Sequence, residues 1–201
     1  MALPNVTPME LVQQKTPFDH PDWLFEIKYD GFRSLAYIDD GCKLVSRNEF
    51  HYQRFKDLAG SLVNDLDVSN AILDGEIVCL DDRGHSQFYD LMGNRGVPIF
   101  AVFDVLWLDG EDLRDQPLSD RKEVLREIVP ESPDRMLYVD HIEEQGTALY
   151  EQCFSLDLEG IVAKPKISPY REVQGQTTWI KVKNPDYSQA EGRRELFNKR
   201  R

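Results

Sequence analysis

The longest apolar run in the chain, residues 97–108, contains Pro98 and carries an acid, Asp104, near its middle. The run falls well short of the roughly 18 unbroken apolar residues that a membrane span requires. Ended by the turn Asp109-Gly110, it predicts a buried strand over residues 99–108. An unpaired charge inside such a strand costs several kcal/mol, so Asp104 requires a partner. Two readings stay open at this point: backbone N–H groups at a turn or helix terminus, or a direct functional role.

The rest of the chain mixes short strands with few helices and holds no internal repeat or low-complexity block. Residues 23–27 and 33–38 are strand-like, and Asp39-Asp40-Gly41 reads as a hairpin turn into a strand over 42–46. Phe55, Leu58, Leu62 and Val63 recur at helical spacing, which predicts about three turns of helix after His51. A strand follows over 71–80. Ser119 or Asp120 is the expected N-cap of a second helix, with Val124, Leu125, Ile128 and Val129 on one face and Pro130 as its stop. A third helix is predicted over 147–156. Late strands over 160–164 and 178–183 are joined by a polar loop containing Pro169, Gly175 and Gln176. Strands outnumber helices without alternating one for one, which favours an α+β fold with antiparallel sheets over a doubly wound one.

Composition bounds the class. With 201 residues, 41 % of them hydrophobic, the chain has material for a real core and for one domain or two small ones. The N-terminus has neither a basic region nor an apolar stretch of secretory type, so a cytoplasmic protein without a membrane is expected. Cys42, Cys79 and Cys153 are odd in number and form no CxxC pair, which argues against a disulfide framework or a zinc ribbon. The net charge of −12 at first disfavours nucleic acid, since phosphate binding rests on Lys and Arg. The distribution changes that: residues 1–160 hold 14 basic and 32 acidic side chains, residues 161–201 hold 10 and 4. The terminal cluster Arg193, Arg194, Lys199, Arg200 and Arg201 reads as a solvated basic tail. Lys181 and Lys183 do not, because they sit in an alternating strand-like run.

Chemistry concentrates in a few segments. In Glu26-Ile27-Lys28-Tyr29-Asp30-Gly31-Phe32-Arg33 a lysine stands beside carboxylates and an arginine at the end of a strand. Desolvation or neighbouring cations lower a lysine pKa enough to make a nucleophile. Taken alone, Lys28 is equally an exposed lysine before a turn. Asp74 and Glu76 share a face of their strand, a pairing that calls for a metal ion or a cationic partner. Glu159 and Lys164 couple a carboxylate and a lysine along one strand. Lys181 and Lys183 then point at one face, where they repel unless an anion such as a triphosphate lies between them.

In this order, K-x-D-G, S-R-N, D-G-E, F-D-x-L, E-G-I-V-x-K and W-I-K-V-K resemble the successive motifs of the covalent nucleotidyltransferases: ATP-dependent DNA ligases, RNA ligases and capping enzymes. Flanking text, including Phe18-Asp19-His20-Pro21-Asp22-Trp23, Gln87-Phe88, Trp107-Leu108-Asp109-Gly110 and Ser168-Pro169-Tyr170-Arg171, is similar to the ligase domains of bacterial end-joining-type DNA ligases. The similarity runs from about Pro8 to Asn184. One such motif is weak, and six in order are a strong signal.

The resemblance implies an ATP-grasp-like nucleotidyltransferase fold, two antiparallel sheets flanked by helices around a nucleotide cleft. It also implies roles. Lys28 attacks the α-phosphorus of ATP and holds AMP covalently, and Asp30 serves nick sealing. Glu26 and Phe103 frame adenine, while Arg33 and Glu76 reach the ribose and phosphate side. Lys164 is placed among the nucleotide-binding residues, and Lys181 and Lys183 neutralise the α-phosphate. Glu76 and Glu159 hold Mg²⁺ or Mn²⁺, and Ser46 and Arg47 approach DNA. On its strand alone Phe103 is also readable as a core aromatic and Lys164 as a surface charge. The implied partner is nicked double-stranded DNA, met by a monomer.

Two departures limit the implication. The family's S-R-N-G is Ser46-Arg47-Asn48-Glu49 here, an acid where the turn has glycine, which is expected to weaken contact with a nick. Only 18 residues follow Lys183, whereas an OB-fold needs roughly 70. An adenylation domain over 1–184 with a basic tail over 185–201 is therefore expected, without an OB-fold, which a separate chain or repair protein would have to supply. An RNA ligase or capping-type transferase, or a non-catalytic module that binds ATP or a partner, remains as an alternative.

Overall fold

The computed structural model describes residues 3–171 and 175–190. Arg193, Arg194, Lys199, Arg200 and Arg201 lie outside the described residues. The first strands are β1 (Val12–Gln14), β2 (His20–Ile27), β3 (Phe32–Ile38) and β4 (Cys42–Ser46). A 3-10 turn leads into α1 (Lys56–Asp65), followed by β5 (Ala71–Cys79), the short α2 (Phe88–Met92), β6 (Pro98–Leu108) and β7 (Glu111–Asp112). The remaining elements are α3 (Leu118–Ile128), β8 (Met136–Tyr138), β9 (His141–Glu144), α4 (Gly146–Ser155), β10 (Gly160–Pro165) and β11 (Ile180–Lys183).

Two sheets form. One has the order β1-β11-β10-β2-β9; the other runs β4-β3-β5-β6-β7, with β8 also paired to β6. The α+β expectation holds, with one correction to the purely antiparallel sheets: β1 runs parallel to β11 and β8 parallel to β6. Parallel neighbours need a long crossover. The β6–β8 pair has one through α3, and β1 joins β11 from the opposite end of the chain.

The core is layered. Leu58 and Leu62 of α1 and Leu125 of α3 pack with Leu73 and Val105 on one face of the six-stranded sheet. On the five-stranded sheet, Phe25 and Ile161 pack with Leu149 and Cys153 of α4. A further cluster joins Leu35, Ile72 and Leu106 to Trp179, Tyr170 and Met9. Among the described residues no helix is long and apolar enough to cross a membrane.

The helix α3 departs from its predicted form. It starts after Pro117 with no side-chain cap. The Ser119 N–H donates instead to the Lys166 carbonyl, so a neighbouring loop satisfies the first turn and neither Ser119 nor Asp120 is the N-cap. The buried stripe is Leu118, Arg121, Lys122 and Leu125, with Val124 and Ile128 only partly buried. Two cations therefore point inward. Arg121 donates to both oxygens of Asp104 at 2.8 Å, and both residues are fully buried. This ion pair is the partner that Asp104 requires.

Candidate active site

The strand β2 delivers Glu26 within the five-stranded sheet and Lys28 just past its end, where the Lys28 N–H donates to the Gly160 carbonyl at 2.9 Å. The turn that follows depends on Gly31, where a β-carbon would collide with the Ile77 carbonyl oxygen. Gly160 sits at φ +133°, a left-handed backbone that favours glycine, and a β-carbon there would collide with the Val182 carbonyl oxygen. These two glycines let Lys28 and Glu159 approach. The Lys28 ammonium donates to Glu159 Oε2 at 2.6 Å, and Lys183 donates to Glu159 Oε1 at 2.7 Å.

The electrostatics reverse one expectation. Burial works to lower the Lys28 pKa, but Glu159 and Glu76 outweigh it, and the amine is held above its ordinary value as an ammonium. Glu159 stays below the usual carboxylate range: burial alone would raise it, and Lys28 and Lys183 overcome that. Glu76 goes the other way. Burial pushes it up to about 8 against the pull of Lys28 and Arg33, with Glu159 and Asp30 adding repulsion.

A narrow slot opens beside Lys28. Glu26, Tyr29, Arg33, Glu76, Phe103, Val139, Lys164 and Trp179 are among its walls. Glu26 is buried between two lysines, Lys122 at 2.8 Å and Lys164 at 2.5 Å, which hold it ionised against the cost of burial. Lys164 is not a surface charge; it stands 4.3 Å from the Phe103 ring centre and 4.2 Å from that of Trp179. Arg33 forks onto Asp74 at 3.0 and 2.6 Å, and Tyr170 donates its hydroxyl to the same carboxylate at 2.5 Å. Asp74 thus has a cationic partner, the second of the two options its strand face left open.

A wider groove meets the slot at Leu11, Lys28, Arg33 and Glu76 and extends past Arg47, Asn48, Lys181 and Lys183. Lys181 falls below its ordinary pKa through burial and the repulsion of Lys183 and Lys28. Ser46 is occupied within its loop, its hydroxyl accepting from the N–H groups of Asn48 and Phe50. Glu49 adopts φ 63°, the backbone a glycine favours. Asp30 is buried and accepts from the Tyr187 hydroxyl at 3.0 Å, so the chain just past residue 184 packs against the site.

The structure therefore brings Glu26, Lys28, Arg33, Glu76, Phe103, Lys164, Lys181 and Lys183 to one slot and groove, with Glu159 beneath Lys28. Glu159 and Lys164 do not pair with each other as their shared strand suggests; they face different partners. Trp179, a wall of the slot, and the buried cations Lys122, which holds Glu26, and Arg121, which holds Asp104, are residues whose roles the motifs do not single out. Their signal in the sequence is the inward stripe of α3 and the tryptophan that opens W-I-K-V-K.

Two sheets around a lysine-bearing slot and a cationic groove define a nucleotidyltransferase fold. The family model described as "ATP dependent DNA ligase domain" matches residues 8–183. The chain belongs to that family. It is 31 % identical over 193 residues to the SPbeta prophage-derived DNA ligase-like protein LigB of Bacillus subtilis, covering 92 % of this chain and 69 % of the relative. It is 33 % identical over 168 residues to the multifunctional non-homologous end joining protein LigD of Mycolicibacterium smegmatis, covering 80 % of this chain and 21 % of that protein. Among solved structures it resembles mycobacterial DNA ligase D complexed with ATP and MES, with TM-score 0.71 and 27 % identity, covering 88 % of this chain and 60 % of that one. The chain thus spans about a fifth of the multifunctional relative.

Proposed function

We propose that this chain is the adenylation domain of a DNA-joining enzyme, taking AMP from ATP onto Lys28 and passing it to the 5′-phosphate of a DNA nick. The observation that carries the reading is the position of the Lys28 ammonium, at the junction of the slot and the cationic groove and 2.6 Å from Glu159. Lys28 gives up a proton to water, its Nζ forms a bond to the α-phosphorus, and the bond to pyrophosphate breaks, with pyrophosphate leaving on the bonding electron pair. Lys181 and Lys183 neutralise the charge that develops on the α-phosphate. An oxygen of the DNA 5′-phosphate then displaces the lysine, which regains its proton beside Glu159, and a 3′-hydroxyl expels AMP. Asp30 acts at that sealing step. Glu26 and Phe103 frame the adenine, Arg33 and Glu76 its ribose side, and Arg47 beyond Ser46 approaches the duplex.

The donor set fits a hard cation. Glu76 and Glu159 offer oxygen only, and among the described residues no group of three His, Cys, Asp or Glu side chains is arranged to hold a metal. An ion bound here would take its other ligands from water and phosphate, as Mg²⁺ does, and the all-oxygen donor pair does not suit zinc, which is usually held by Cys and His. Bound Mg²⁺ or Mn²⁺ would supply charge neutralisation on the phosphates.

Intact mass after incubation with ATP and Mg²⁺ tests the reading. The gain of one AMP, absent in Lys28→Ala, is the expected result; no gain in the parent chain, or a gain that survives the substitution, overturns it.

A further inference from the structure

Lys122 does not line the slot, yet it fastens two of the slot's walls. Its ammonium donates to Glu26 Oε1 at 2.8 Å and to the Val139 carbonyl at 2.6 Å, and stands 4.5 Å from the Tyr138 ring centre. Glu26 belongs to β2 of the five-stranded sheet. Val139 follows β8 of the six-stranded sheet and is tied to it by its N–H, which donates to the Val102 carbonyl at 2.8 Å. Both residues face the slot. Lys122 therefore fixes the spacing of the two sheets there and the direction of the Glu26 carboxylate at once. Lys164, the second cation on Glu26, is itself a slot wall.

An ionised carboxylate only accepts hydrogen bonds. A 6-amino purine offers it a donor, whereas a 6-oxo purine presents an acceptor that it repels. We propose that Lys122 is a positioning residue that sets the purine selectivity of the slot, aiming the Glu26 carboxylate so that a 6-amino purine is accepted and a 6-oxo purine refused. The inference rests on the slot being the nucleobase site. Its charge balance makes a test practical. Without Lys122, Glu26 and Lys164 remain a one-to-one pair, so no buried carboxylate is left uncompensated.

The experiment measures Kd for ATP and for inosine triphosphate in the full chain, in a Lys28→Ala background so that no adduct accumulates. Wild type at residue 122 is expected to prefer ATP. Lys122→Met should lower the ATP-to-inosine preference by about tenfold or more, mostly through weaker ATP, while Lys122→Arg keeps most of it. In a Glu26→Gln background, Lys122→Met should add little further change, because it acts through that carboxylate. Lys122→Gln, which keeps one donor and the side-chain length, takes the place of the Met variant if that one does not fold, and an intermediate preference is expected. Equal weakening of both nucleotides, or an undiminished preference, overturns the proposal and assigns Lys122 a structural role. A parent chain that binds ATP and inosine triphosphate alike removes the base-slot reading itself, a result distinguishable from failure at Lys122 alone.

Discussion

Glu159 grips the resting Lys28: one carboxylate oxygen lies 2.6 Å from the Lys28 ammonium while the other holds Lys183 at 2.7 Å. The Lys28 amine is thus held protonated, and whatever draws charge from Glu159 loosens that hold. Glu159→Gln should leave burial as the main influence on Lys28 and lower its pKa. Limited labelling with an amine-reactive reagent at neutral pH, read by peptide mapping, should show faster modification of Lys28 in the variant. AMP transfer from ATP should fall in parallel by about a hundredfold or more, since the carboxylate also orients the amine. Unchanged labelling would show that the grip does not govern the amine.

Glu76 gives a pH signature. Its folded pKa, about 8, lies above its ordinary value near 4.5, so the folded state holds the proton more tightly than the unfolded one. The stability that Glu76 contributes is then full below about pH 4.5 and is lost as pH rises toward 8. Urea midpoints measured without divalent metal should fall across that window, and Glu76→Gln should flatten the slope. Added Mg²⁺ should restore stability at pH 8 in the parent chain and much less in the variant. A midpoint that rises from pH 5 to 8 in both proteins would contradict the assignment.

Legibility divides along a physical line. The gathering of Lys28, Glu76, Glu159, Lys181 and Lys183 in one place is readable in the sequence because charged residues on strands, beside glycines that permit close approach, seldom serve packing alone. Arg121 and Lys122 are hidden because charge on an amphipathic helix ordinarily marks its wet face. Their spacing holds the clue: Leu118, Arg121, Lys122 and Leu125 follow the i, i+3, i+4, i+7 stripe, and the acids Asp104 and Glu26 both need cations. The direction of the Lys28 shift is hidden for a related reason. Sequence shows which charges are near in the chain, and Glu159, 131 residues away, decides the sign.

Asp74 anchors Arg33 and Tyr170 from a fully buried position. Asp74→Ala strands the guanidinium and should cost about 3–5 kcal/mol of stability. Tyr170→Phe removes one hydroxyl that donates to Asp74 and accepts from the Met9 N–H, and should cost about 1–3 kcal/mol. Chemical denaturation of the two variants should rank them in that order. The reverse order would mean that Tyr170, rather than Arg33, is the main partner of the acid.

Glu49 carries the strain of the Ser46 turn at φ 63°. A left-handed conformation costs an L-residue roughly 1–2 kcal/mol that glycine avoids, partly offset by the entropy a glycine loses on folding. Glu49→Gly should therefore raise stability by about 0.5–1 kcal/mol in thermal or urea melts, and a loss of stability would show that its side chain compensates for the strain.

The same loop supplies the last test, through charge. Arg47 is exposed at the rim of the groove that holds Lys181 and Lys183, while Glu49, two residues on, presents an acid on the same turn. Each phosphate neutralised by a cation contributes roughly one unit to the slope of log affinity against log salt. Arg47→Ala should weaken binding to a nicked duplex and make that slope shallower by about one. Glu49→Gln should strengthen binding at low salt, because it removes repulsion without adding a phosphate contact, and leave the slope nearly unchanged. The two variants separate a direct contact from a field effect when fluorescence anisotropy is followed across a salt series. If Arg47→Ala leaves both affinity and slope as they were, DNA does not approach along this edge of the groove, and the cationic lining serves the nucleotide phosphates alone.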